Sequence, residues 1–355
     1  MRQRLLISGS QRNTNTIGAF IIKNFDGSFP FEILEYPDQF SELLKSRIYR
    51  ILNRLFPALI VRKMDKLLLR QLDRFNPTVV LIFKGMEISK WSLARIRAKG
   101  IKLVNYNFDH PFVFFSRGTG NRFVKEAIPF YDLHISYSKK ITRELQQKFS
   151  VSCEWLPFGF HITEAQYLNV LAENRPEINR VCFVGNPDLR RIEILRKLVM
   201  EGVGIDLYGF GWEKFFESNQ ALTIYPHRNG RSYWQDPDEF WKVLRQYRVQ
   251  LNFFRPHNEG SHNLRTFEVP AVGGILLTPT SEEQALFFDE GKEIFFYSGC
   301  EQLASKCRWL LSQDKNWIEN IRINARTRSV SSDYSYERRT KDLLALLNNL
   351  IVKSI

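Results

Sequence analysis

Cysteine is scarce in this chain, and the spacing of the few cysteines excludes two classes of site. The 355 residues include 4 Cys, and no two of them have the Cys-x-x-Cys spacing of a zinc or thiol-redox motif. We therefore expect a reduced protein with buried thiols. Long apolar runs are also missing, since none approaches the ~18 residues of a transmembrane helix. The N-terminus lacks the apolar core of a signal peptide, and together these features favour a cytoplasmic protein.

Acidic residues are scarce in the first half of the chain. Residues 1–150 contain 26 Lys and Arg against 12 Asp and Glu, whereas residues 151–355 contain 25 against 26. The formal net charge of +13 therefore comes from the first half, which favours an anionic partner there. The sequence has no zinc-finger, helix-turn-helix or RNA-recognition pattern, so we expect no nucleic acid and favour a membrane surface.

The most basic stretch is residues 45–74, with nine Lys and Arg and two Asp. Ile48, Ile51, Leu52 and Leu55 recur in it at helical spacing. A basic amphipathic helix is suited to an anionic membrane surface, which predicts peripheral binding to the inner face of the cell membrane. The alternative is a solvated helix that packs its apolar side on a sheet.

Short apolar runs alternate with longer amphipathic ones, which predicts an α/β fold of two doubly wound parallel sheets. Strands are predicted at residues 4–8, 31–36, 78–83, 101–107 and 132–136, and helices at 38–56, 62–75 and 89–99. The pattern restarts at residues 177–212 as strand, glycine turn, helix and strand. Later strands are predicted at 249–254 and 274–278, and later helices at 238–247, 281–288, 301–312 and 315–327.

This organisation predicts an N-terminal domain over residues 1–165 and a C-terminal domain over 166–335. A last helix, 336–355, is expected to return to the N-terminal domain. The polar segment 164–179 shows no strand pattern and is predicted to be the interdomain linker. Ligands of such sheets bind beyond the carboxyl ends of the strands, so we expect the site in loops that follow strands, in a cleft between the domains.

Several residues that follow predicted strands are candidates for ligand binding. Gly185 and Asn186 follow one strand, and Arg190 and Arg191 lie near the start of the next helix, where either arginine suits a phosphate. Gly209 follows another strand, where a glycine lets the backbone approach a ligand. The alternatives are a solvated helix face for both arginines and a tight turn for the glycine. The G-x-G-x-x-G fingerprint is absent, which argues against a dinucleotide.

Residues 257–277, HNEGSHNLRTFEVPAVGGILL, join a polar half to an apolar strand-like half. Pro270 fits only early in a helix, so the polar half predicts a loop and a short or kinked helix at the carboxyl edge of the sheet. A carboxylate there is suited to a ribose diol, and Arg265 to a diphosphate. His257 and His262 are five residues apart, which is poor spacing for metal ligands on a helix.

The same residues carry a resemblance. Asn263-Leu-Arg265-Thr-Phe-Glu268, followed by Pro-Ala-Val-Gly-Gly, resembles the donor-nucleotide motif of GT-B glycosyltransferases. It is most similar to the spore-maturation-protein-like (CgeB-like) branch, which is related to retaining family 4 enzymes. Similar stretches are NFDHPF at 107–112, EWLPFGFH at 154–161 and CFVGNPDLRR at 182–191, so the resemblance spans roughly 75–345.

The resemblance implies a GT-B fold, with two Rossmann-like domains facing a central cleft. It implies a glycosyltransferase whose donor is a nucleotide-diphosphate sugar held mainly by the C-terminal domain, and whose acceptor is held mainly by the N-terminal one. It implies neither metal nor cofactor, because side chains and a helix N-terminus stabilise the leaving diphosphate in such enzymes.

The resemblance also implies roles for residues of the donor motif. Glu268 would contact the ribose and Arg265 or Arg190 the diphosphate, while Asn263 and Thr266 belong to the same motif. Glu259 is a further donor-site candidate, with one departure from the pattern. Related retaining enzymes carry two Glu eight residues apart, whereas Glu259 and Glu268 are nine apart.

Asp109 and His110 of NFDHPF follow a predicted strand and are the catalytic candidates. Asp109 is suited to act as a base or to accept a hydrogen bond from a sugar hydroxyl, and His110 to hydrogen-bond the donor sugar. The alternative for His110 is a packed histidine with a structural role. The position of His161 is one where the family often has Asp.

The basic first half favours a lipid-linked or cell-surface polysaccharide acceptor. Two alternatives stay open. One is a GT-B-shaped epimerase or hydrolase that turns over the nucleotide sugar without an acceptor. The other is a non-catalytic scaffold that binds sugars or membranes, against which the intact segment 263–268 argues.

Overall fold

Two α/β units make up the protein. A computed structural model describes residues 3–10, 16–25, 31–115, 118–225 and 237–352. One unit comprises Met1–Pro157 with Tyr336–Ile355, and the other comprises Phe158–Ser335. Each unit is built around a parallel β-sheet with six described strands, which confirms the predicted pair of doubly wound sheets.

The first sheet has the strand order β2-β1-β3-β4-β5-β6, and all its pairings are parallel. Its strands are β1 (Gln3–Ser10), β2 (Phe31–Pro37), β3 (Val79–Phe83), β4 (Lys102–Asn107), β5 (Leu133–Ser136) and β6 (Cys153–Trp155). Every residue of β3 is buried, as expected for a strand covered on both faces. The first five strands begin and end within two residues of the predicted positions.

The helices of the first unit are α1 (Ile17–Lys23), α2 (Gln39–Leu43), α3 (Arg47–Leu55), α4 (Pro57–Phe75), α5 (Lys90–Arg97), α6 (Arg122–Ala127) and α7 (Lys139–Phe149). Residues 38–56 were predicted as one helix, which is wrong, because the chain turns between α2 and α3. Helix α4 buries Ile60, Met64, Leu68 and Leu72, whose spacing of four residues gives it one apolar side.

The second sheet has the order β12-β11-β10-β7-β8-β9, again with parallel pairings. Its strands are β7 (Ile178–Val184), β8 (Ile205–Tyr208), β9 (Leu222–Tyr225), β10 (Tyr247–Leu251), β11 (Leu276–Pro279) and β12 (Phe295–Tyr297). From β7 the following strands are added toward one edge of the sheet, and from β10 they are added toward the other, so the strand order reverses between β7 and β10. Two of these strands are displaced by about two residues from the predicted 249–254 and 274–278.

The helices of the second unit are α8 (Glu164–Ala172), α9 (Leu189–Met200), α10 (Pro237–Gln246), α11 (Arg265–Ala271), α12 (Gly299–Ser312) and α13 (Lys315–Ser331). The polar stretch 164–179, predicted to be the interdomain linker, forms α8 and the start of β7. Thr163 and Gln166 form a capping box that starts α8. The helix predicted at 281–288 is only a 3₁₀ turn, Gln284–Leu286.

The last helix is α14 (Tyr336–Val352), and it packs within the first unit. The hydroxyl of Thr340 donates a hydrogen bond to the backbone oxygen of Ile21, at 3.1 Å. The ring of Tyr336 lies 5.3 Å from that of Phe20. Within the described ranges, no helix is both long and apolar enough to cross a membrane.

Candidate functional site

The carboxyl ends of β7 and β10 lie side by side, and the loops that leave them run to opposite sides of the second sheet. A crevice forms where the strand order of a parallel sheet reverses, and ligands bind there. Residues 185–188 follow β7, and residues 252–264 lead from β10 to α11. The predicted donor-site residues, apart from Gly209, therefore belong to these two loops and to the first turns of α9 and α11.

The two candidate glycines have a clear structural role. A Cβ atom at Gly209 would lie 2.1 Å from the backbone oxygen of Gly185, so only glycine fits there. That oxygen accepts a hydrogen bond from Trp212 Nε1 at 2.8 Å. Asn186 Oδ1 accepts one from the backbone of Phe210 at 3.2 Å. The loops after β7 and β8 are thus held together, and direct contact of Gly185, Asn186 and Gly209 with a ligand stays a prediction.

Helix α9 begins at the end of the first loop and carries two adjacent arginines in different environments. The carboxylate of Asp188 accepts a hydrogen bond from the backbone N–H of Arg191 at 3.0 Å and caps the helix. Arg190 is exposed and forms an ion pair with Glu259. Arg191 is largely buried, and its guanidinium donates to the backbone oxygen of Asn186 at 2.8 Å.

Three guanidinium groups converge near the end of β7. The pKa of Arg191 is lowered to about 10, mainly by burial; the carboxylate of Asp188 opposes this shift, and the positive charges of Arg255 and Arg265 contribute to it. Arg191 and Arg265 are partly buried and Arg255 is exposed, and like charges near a partly buried guanidinium are unfavourable unless an anion joins them. The cluster is therefore suited to a diphosphate, which guanidinium groups bind with paired hydrogen bonds.

Arg265 and Glu268 lie one turn apart on α11 and form an ion pair. Arg265 also donates to the backbone oxygen of Val184 at 3.4 Å and lies over the ring of Phe240 at 4.8 Å. Its Nε atom is buried and has no hydrogen-bond partner among the described residues. Glu268 is 3% exposed, and burial raises the pKa of its carboxyl group, although Arg265 counteracts this.

Only one oxygen of Glu268 hydrogen-bonds to Arg265. Within the described part of the chain, the other oxygen has no hydrogen-bond partner. A buried carboxylate and a buried guanidinium that each keep hydrogen-bonding capacity are costly, unless a ligand completes the bonds. The pair is therefore suited to a ligand that offers hydroxyl donors to one residue and anionic acceptors to the other.

A buried polar network holds the loop that carries these residues. Asn263 donates to Asn252 Oδ1 at 2.9 Å, and the hydroxyl of Thr266 donates to Gln284 Oε1 at 2.8 Å. Thr278 donates to the same Gln284 oxygen at 3.1 Å. The structure thus uses Asn263 and Thr266 to fix the start of α11, and their contact with a ligand stays a prediction.

His262 is part of this support rather than of a metal site. Its Nε2 accepts a hydrogen bond from the backbone N–H of Phe158 at 3.2 Å, so Nδ1 carries the proton and faces Glu283 at 3.1 Å. Rings of Phe267 and Phe287 pack against it, each at 5.4 Å. The described residues contain no cluster of three or more His, Cys, Asp or Glu with metal-binding geometry.

A cavity of about 480 Å³ opens beside α9. Its lining includes Arg190, Arg191, Phe254, Glu259, Thr280 and Tyr297. The first residues of α12, Ser298 to Cys300, line it as well, so two helix N-termini meet there. Helix N-termini favour anions, and the volume is that of a site for a small organic ligand. Arg191 belongs both to this lining and to the guanidinium cluster.

Gly260 also lines this cavity, at the position where the resemblance would place the first of two Glu residues. Its φ angle is +77°, in the region that side chains rarely adopt. A glutamate at 260 would therefore be strained. Glu259 lies at the cavity instead, paired with Arg190, and its role toward a sugar stays a prediction.

The two catalytic candidates lie in the first unit, after β4. Asp109 Oδ2 is 2.6 Å from Lys84 Nζ, and both side chains are partly exposed. His110 is buried, with Nε2 3.7 Å from a carboxylate oxygen of Glu144. Its ring packs edge to face with that of Phe112, with 4.4 Å between the ring centroids. These contacts agree with the structural alternative for His110, while a catalytic role for either residue stays a prediction.

Glu87 is a titratable residue near Lys84 that the sequence did not single out. It follows β3, whose carboxyl end adjoins that of β4. Burial raises its pKa to about 8, helped by the negative charges of Asp38 and Asp65, and Lys84 opposes the shift. An acid with this pKa can both donate and accept a proton near neutral pH.

Arg255 is a candidate that the sequence did not single out, and Arg191 is one that the sequence offered only as an alternative to Arg190. Arg255 comes four residues after the end of β10. The sequence does contain a sign of both arginines, because each is a cation in a loop or first helical turn that follows a buried strand. What selects them over other basic residues is the burial of Arg191 and its closeness to Arg255 and Arg265, which only the folded chain shows.

Known proteins resemble this chain in part of its sequence and in its fold. Residues 190–345 match the family model described as "Glycosyl transferase-like". Among curated proteins, none matches the chain in sequence. Sucrose-phosphate synthase from Thermosynechococcus elongatus matches the structure with a TM-score of 0.67 and 12% identity, over 99% of this chain and 100% of that one.

Two further solved structures have similar folds. The trehalose 6-phosphate synthase of Burkholderia multivorans matches with a TM-score of 0.66 and 11% identity, over 100% of each chain. Anabaena Alr3699/HepE, in complex with UDP and glucose, matches with a TM-score of 0.58 and 12% identity, over 98% of this chain and 100% of that one. At these identities the likeness shows the fold, which confirms the predicted α/β GT-B class.

Proposed function

We propose that this protein is a glycosyltransferase that moves a sugar from a nucleotide-diphosphate sugar to a lipid-linked or cell-surface polysaccharide acceptor. The observation that carries the proposal is the convergence of Arg191, Arg255 and Arg265 beside the buried carboxylate of Glu268. The glycosyl transferase-like match of residues 190–345 and the GT-B fold agree with it. Within that fold we place the chain in the spore-maturation-protein-like branch, on the motif at 263–268.

In the proposed reaction the donor diphosphate leaves with negative charge that the protein must stabilise. Arg191 and Arg265 are positioned to donate hydrogen bonds to its oxygens, and the N-terminus of α9 adds a favourable dipole. Glu268 accepts hydrogen bonds from the ribose hydroxyls and keeps Arg265 in place. These residues provide the stabilisation without a metal ion, so we propose metal-independent transfer.

The acceptor side is assigned to the first unit. Asp109, held by Lys84, would accept the proton of the acceptor hydroxyl or orient a sugar. The excess of Lys and Arg over residues 1–150 favours an acceptor that is presented at an anionic surface, such as a lipid-linked glycan.

Isothermal calorimetry tests the donor half of the proposal. We expect one or more of UDP-glucose, UDP-N-acetylglucosamine and GDP-mannose to bind the full chain with equal affinity in buffer and in EDTA. A ligand at about 100 times its Kd should raise the free energy of unfolding by about 2.7 kcal/mol, which a thermal-shift assay detects.

Arg191→Gln should weaken that binding about tenfold or more, because a hydrogen bond to a charged group contributes about 1.5–3 kcal/mol. Arg196→Gln on the same helix is the matched control, since Arg196 lies at the surface near Phe215. If the Arg191 variant bound the nucleotide sugar as tightly as wild type, the guanidinium cluster would not be part of the donor site. Consumption of the donor at the same rate with and without acceptor would favour the epimerase or hydrolase alternative.

Asp109→Asn should lower turnover about 100-fold, as expected for loss of a general base, and leave donor affinity unchanged within about twofold. Steady-state kinetics and calorimetry on the same preparation measure the two effects. Asp73→Asn is the matched control, because Asp73 is an exposed, ion-paired aspartate of the same unit. If the Asp109 variant kept wild-type turnover, the NFDHPF segment would be only a turn, without a catalytic role.

A further inference from the structure

Helix α3 is the one described helix of more than eight residues that has no buried residue. Its apolar side chains nevertheless form a row at helical spacing. Ile48, Ile51, Leu52 and Leu55 are 68%, 50%, 36% and 62% exposed. Phe56 and Leu59, in the turn to α4 and its first residues, extend the row with exposures of 55% and 58%. Contiguous exposed apolar surface of this kind marks a binding surface.

The opposite side of this helix pair explains why the row stays outside. Helix α4 directs Ile60 and Met64 inward, where they form a buried cluster with Phe40. Helix α3 contributes only Tyr49 to the edge of that cluster. The exposed row therefore has no place on the sheet. The sequence-based alternative of an apolar side packed inward holds for α4, but not for α3.

Basic residues flank the exposed row. Arg47, Arg50, Arg54, Arg62, Lys63 and Lys66 are all exposed. Within the described residues none of them forms an ion pair, and residues 43–64 contain no Asp or Glu. The long side chains of Arg and Lys can bury their stems at an apolar boundary while keeping their charges among phosphates.

We propose that α3 and the first turns of α4 form a membrane-docking surface, which lies in the interface of a bilayer rich in anionic lipids. Aliphatic and aromatic side chains bordered by cations that form no ion pair with the described residues match a bilayer, whose apolar interior lies directly below anionic headgroups. Nucleic acid would match the cations but would leave six apolar side chains without a partner. The docking surface does not depend on the proposed sugar transfer, and its test needs neither donor nor acceptor.

Vesicle cosedimentation of the full chain tests the proposal. Phosphatidylcholine vesicles are compared with vesicles that contain about one third phosphatidylglycerol, at low and high salt. We expect at least about tenfold more binding to the anionic vesicles, and a loss of about tenfold when the salt rises, because screening shortens the range of charge attraction.

Two sets of variants separate the charges from the apolar row. Replacing Arg50, Arg54, Arg62 and Lys63 together with Gln should lower binding about tenfold or more, and so should Ile48→Ser combined with Leu55→Ser. The matched control replaces four other exposed basic residues of the first unit, Arg95, Arg122, Lys125 and Arg143, with Gln. The control should keep at least half of the binding.

Three outcomes would overturn the proposal: equal binding to neutral and anionic vesicles, no binding to either, or equal loss in the control. Binding of duplex DNA that is lost with the charge variant and kept with the Ser variant would identify a nucleic-acid surface instead. Because all substituted side chains are exposed, thermal melting should stay at the wild-type temperature. If the vesicle experiment overturned the docking surface, the proposal that the second unit binds the donor would still stand.

Discussion

Glu268→Gln is expected to weaken binding of a nucleotide-diphosphate sugar about 10- to 100-fold. A carboxylate accepts two hydrogen bonds from a ribose diol, whereas the glutamine amide can accept only through one oxygen. A hydrogen bond to a charged group contributes about 1.5–3 kcal/mol, and each 1.4 kcal/mol changes affinity tenfold. The substitution also removes the counter-charge that orients Arg265. Calorimetric titration of the variant with the donor that binds wild type measures the effect.

Glu282→Gln is the matched control, because Glu282 is exposed and lies in the same unit. The Gln variant leaves the shape of the buried side chain unchanged, so a cooperative melt should persist even if its midpoint falls. If a folded Glu268→Gln protein bound the donor as tightly as wild type, Glu268 would act only as the partner of Arg265. Loss of binding together with loss of the cooperative melt would call for Arg265→Lys as a second variant, which keeps the charge next to Glu268.

The same carboxyl group makes a prediction about pH. Burial raises the pKa of Glu268, so part of the population becomes protonated at a higher pH than an ordinary glutamate would. Donor affinity that depends on the carboxylate should therefore decline already above the usual glutamate range as the pH falls. Calorimetry over a pH series checks this, and the Gln variant should lack the dependence.

The strands of both sheets were largely predictable, and their exceptions share one cause. Buried parallel strands are continuous apolar runs, so β1 to β5 and β7 could be found from composition alone. The three strands that were missed, β6, β9 and β12, are three or four residues long and lie at sheet edges. Strands β5, β8 and β11 are also four residues long and were predicted, but they lie inside their sheets. At an edge, a run this short becomes a strand only by pairing with its one neighbour.

The candidate site was predictable in its position but not in its composition. Gly185, Arg190 and Glu268 became candidates because ligand-binding loops follow strands, and their contact with a ligand stays a prediction. The sequence gives no reason to prefer Arg191 to its neighbour, since both start the same helix. The fold separates them: Arg190 pairs with Glu259 at the surface, and Arg191 turns inward toward Arg255 and Arg265.

The unusual environment of Glu87 likewise depends on residues that are distant in the chain. Asp38 precedes α2 and Asp65 lies within α4, and only the packing of these helices places their charges near Glu87. Asp65 is itself fixed by a hydrogen bond from the backbone of Ser89 at 3.0 Å. The sequence around residue 87 does not show that Asp38 and Asp65 lie near it, so the raised pKa of Glu87 could not be predicted from the sequence.

Glu87→Gln is expected to remove a large pH dependence of stability. The folded protein holds the Glu87 proton up to a pKa of about 8, whereas the unfolded chain releases it near the ordinary value of 4.5. Between these values folding takes up a proton, so the free energy of unfolding falls as the pH rises, by at most about 1.4 kcal/mol per pH unit. Glutamine resembles the protonated acid and does not titrate. The variant should therefore gain about 2–4 kcal/mol relative to wild type between pH 5 and pH 8.

Chemical denaturation at pH 5, 6.5 and 8 measures this difference, provided that the transitions are reversible. Glu154→Gln is the matched control, because Glu154 is exposed in the same unit and should change stability equally at all three values. The sign of the effect is the decisive result: an ordinary ion-paired carboxylate would make the variant less stable at pH 8 than at pH 5, relative to wild type. That outcome would mean that Glu87 is ionised in the folded protein at neutral pH, where Lys84 favours its charged form, and that it cannot donate a proton at that pH.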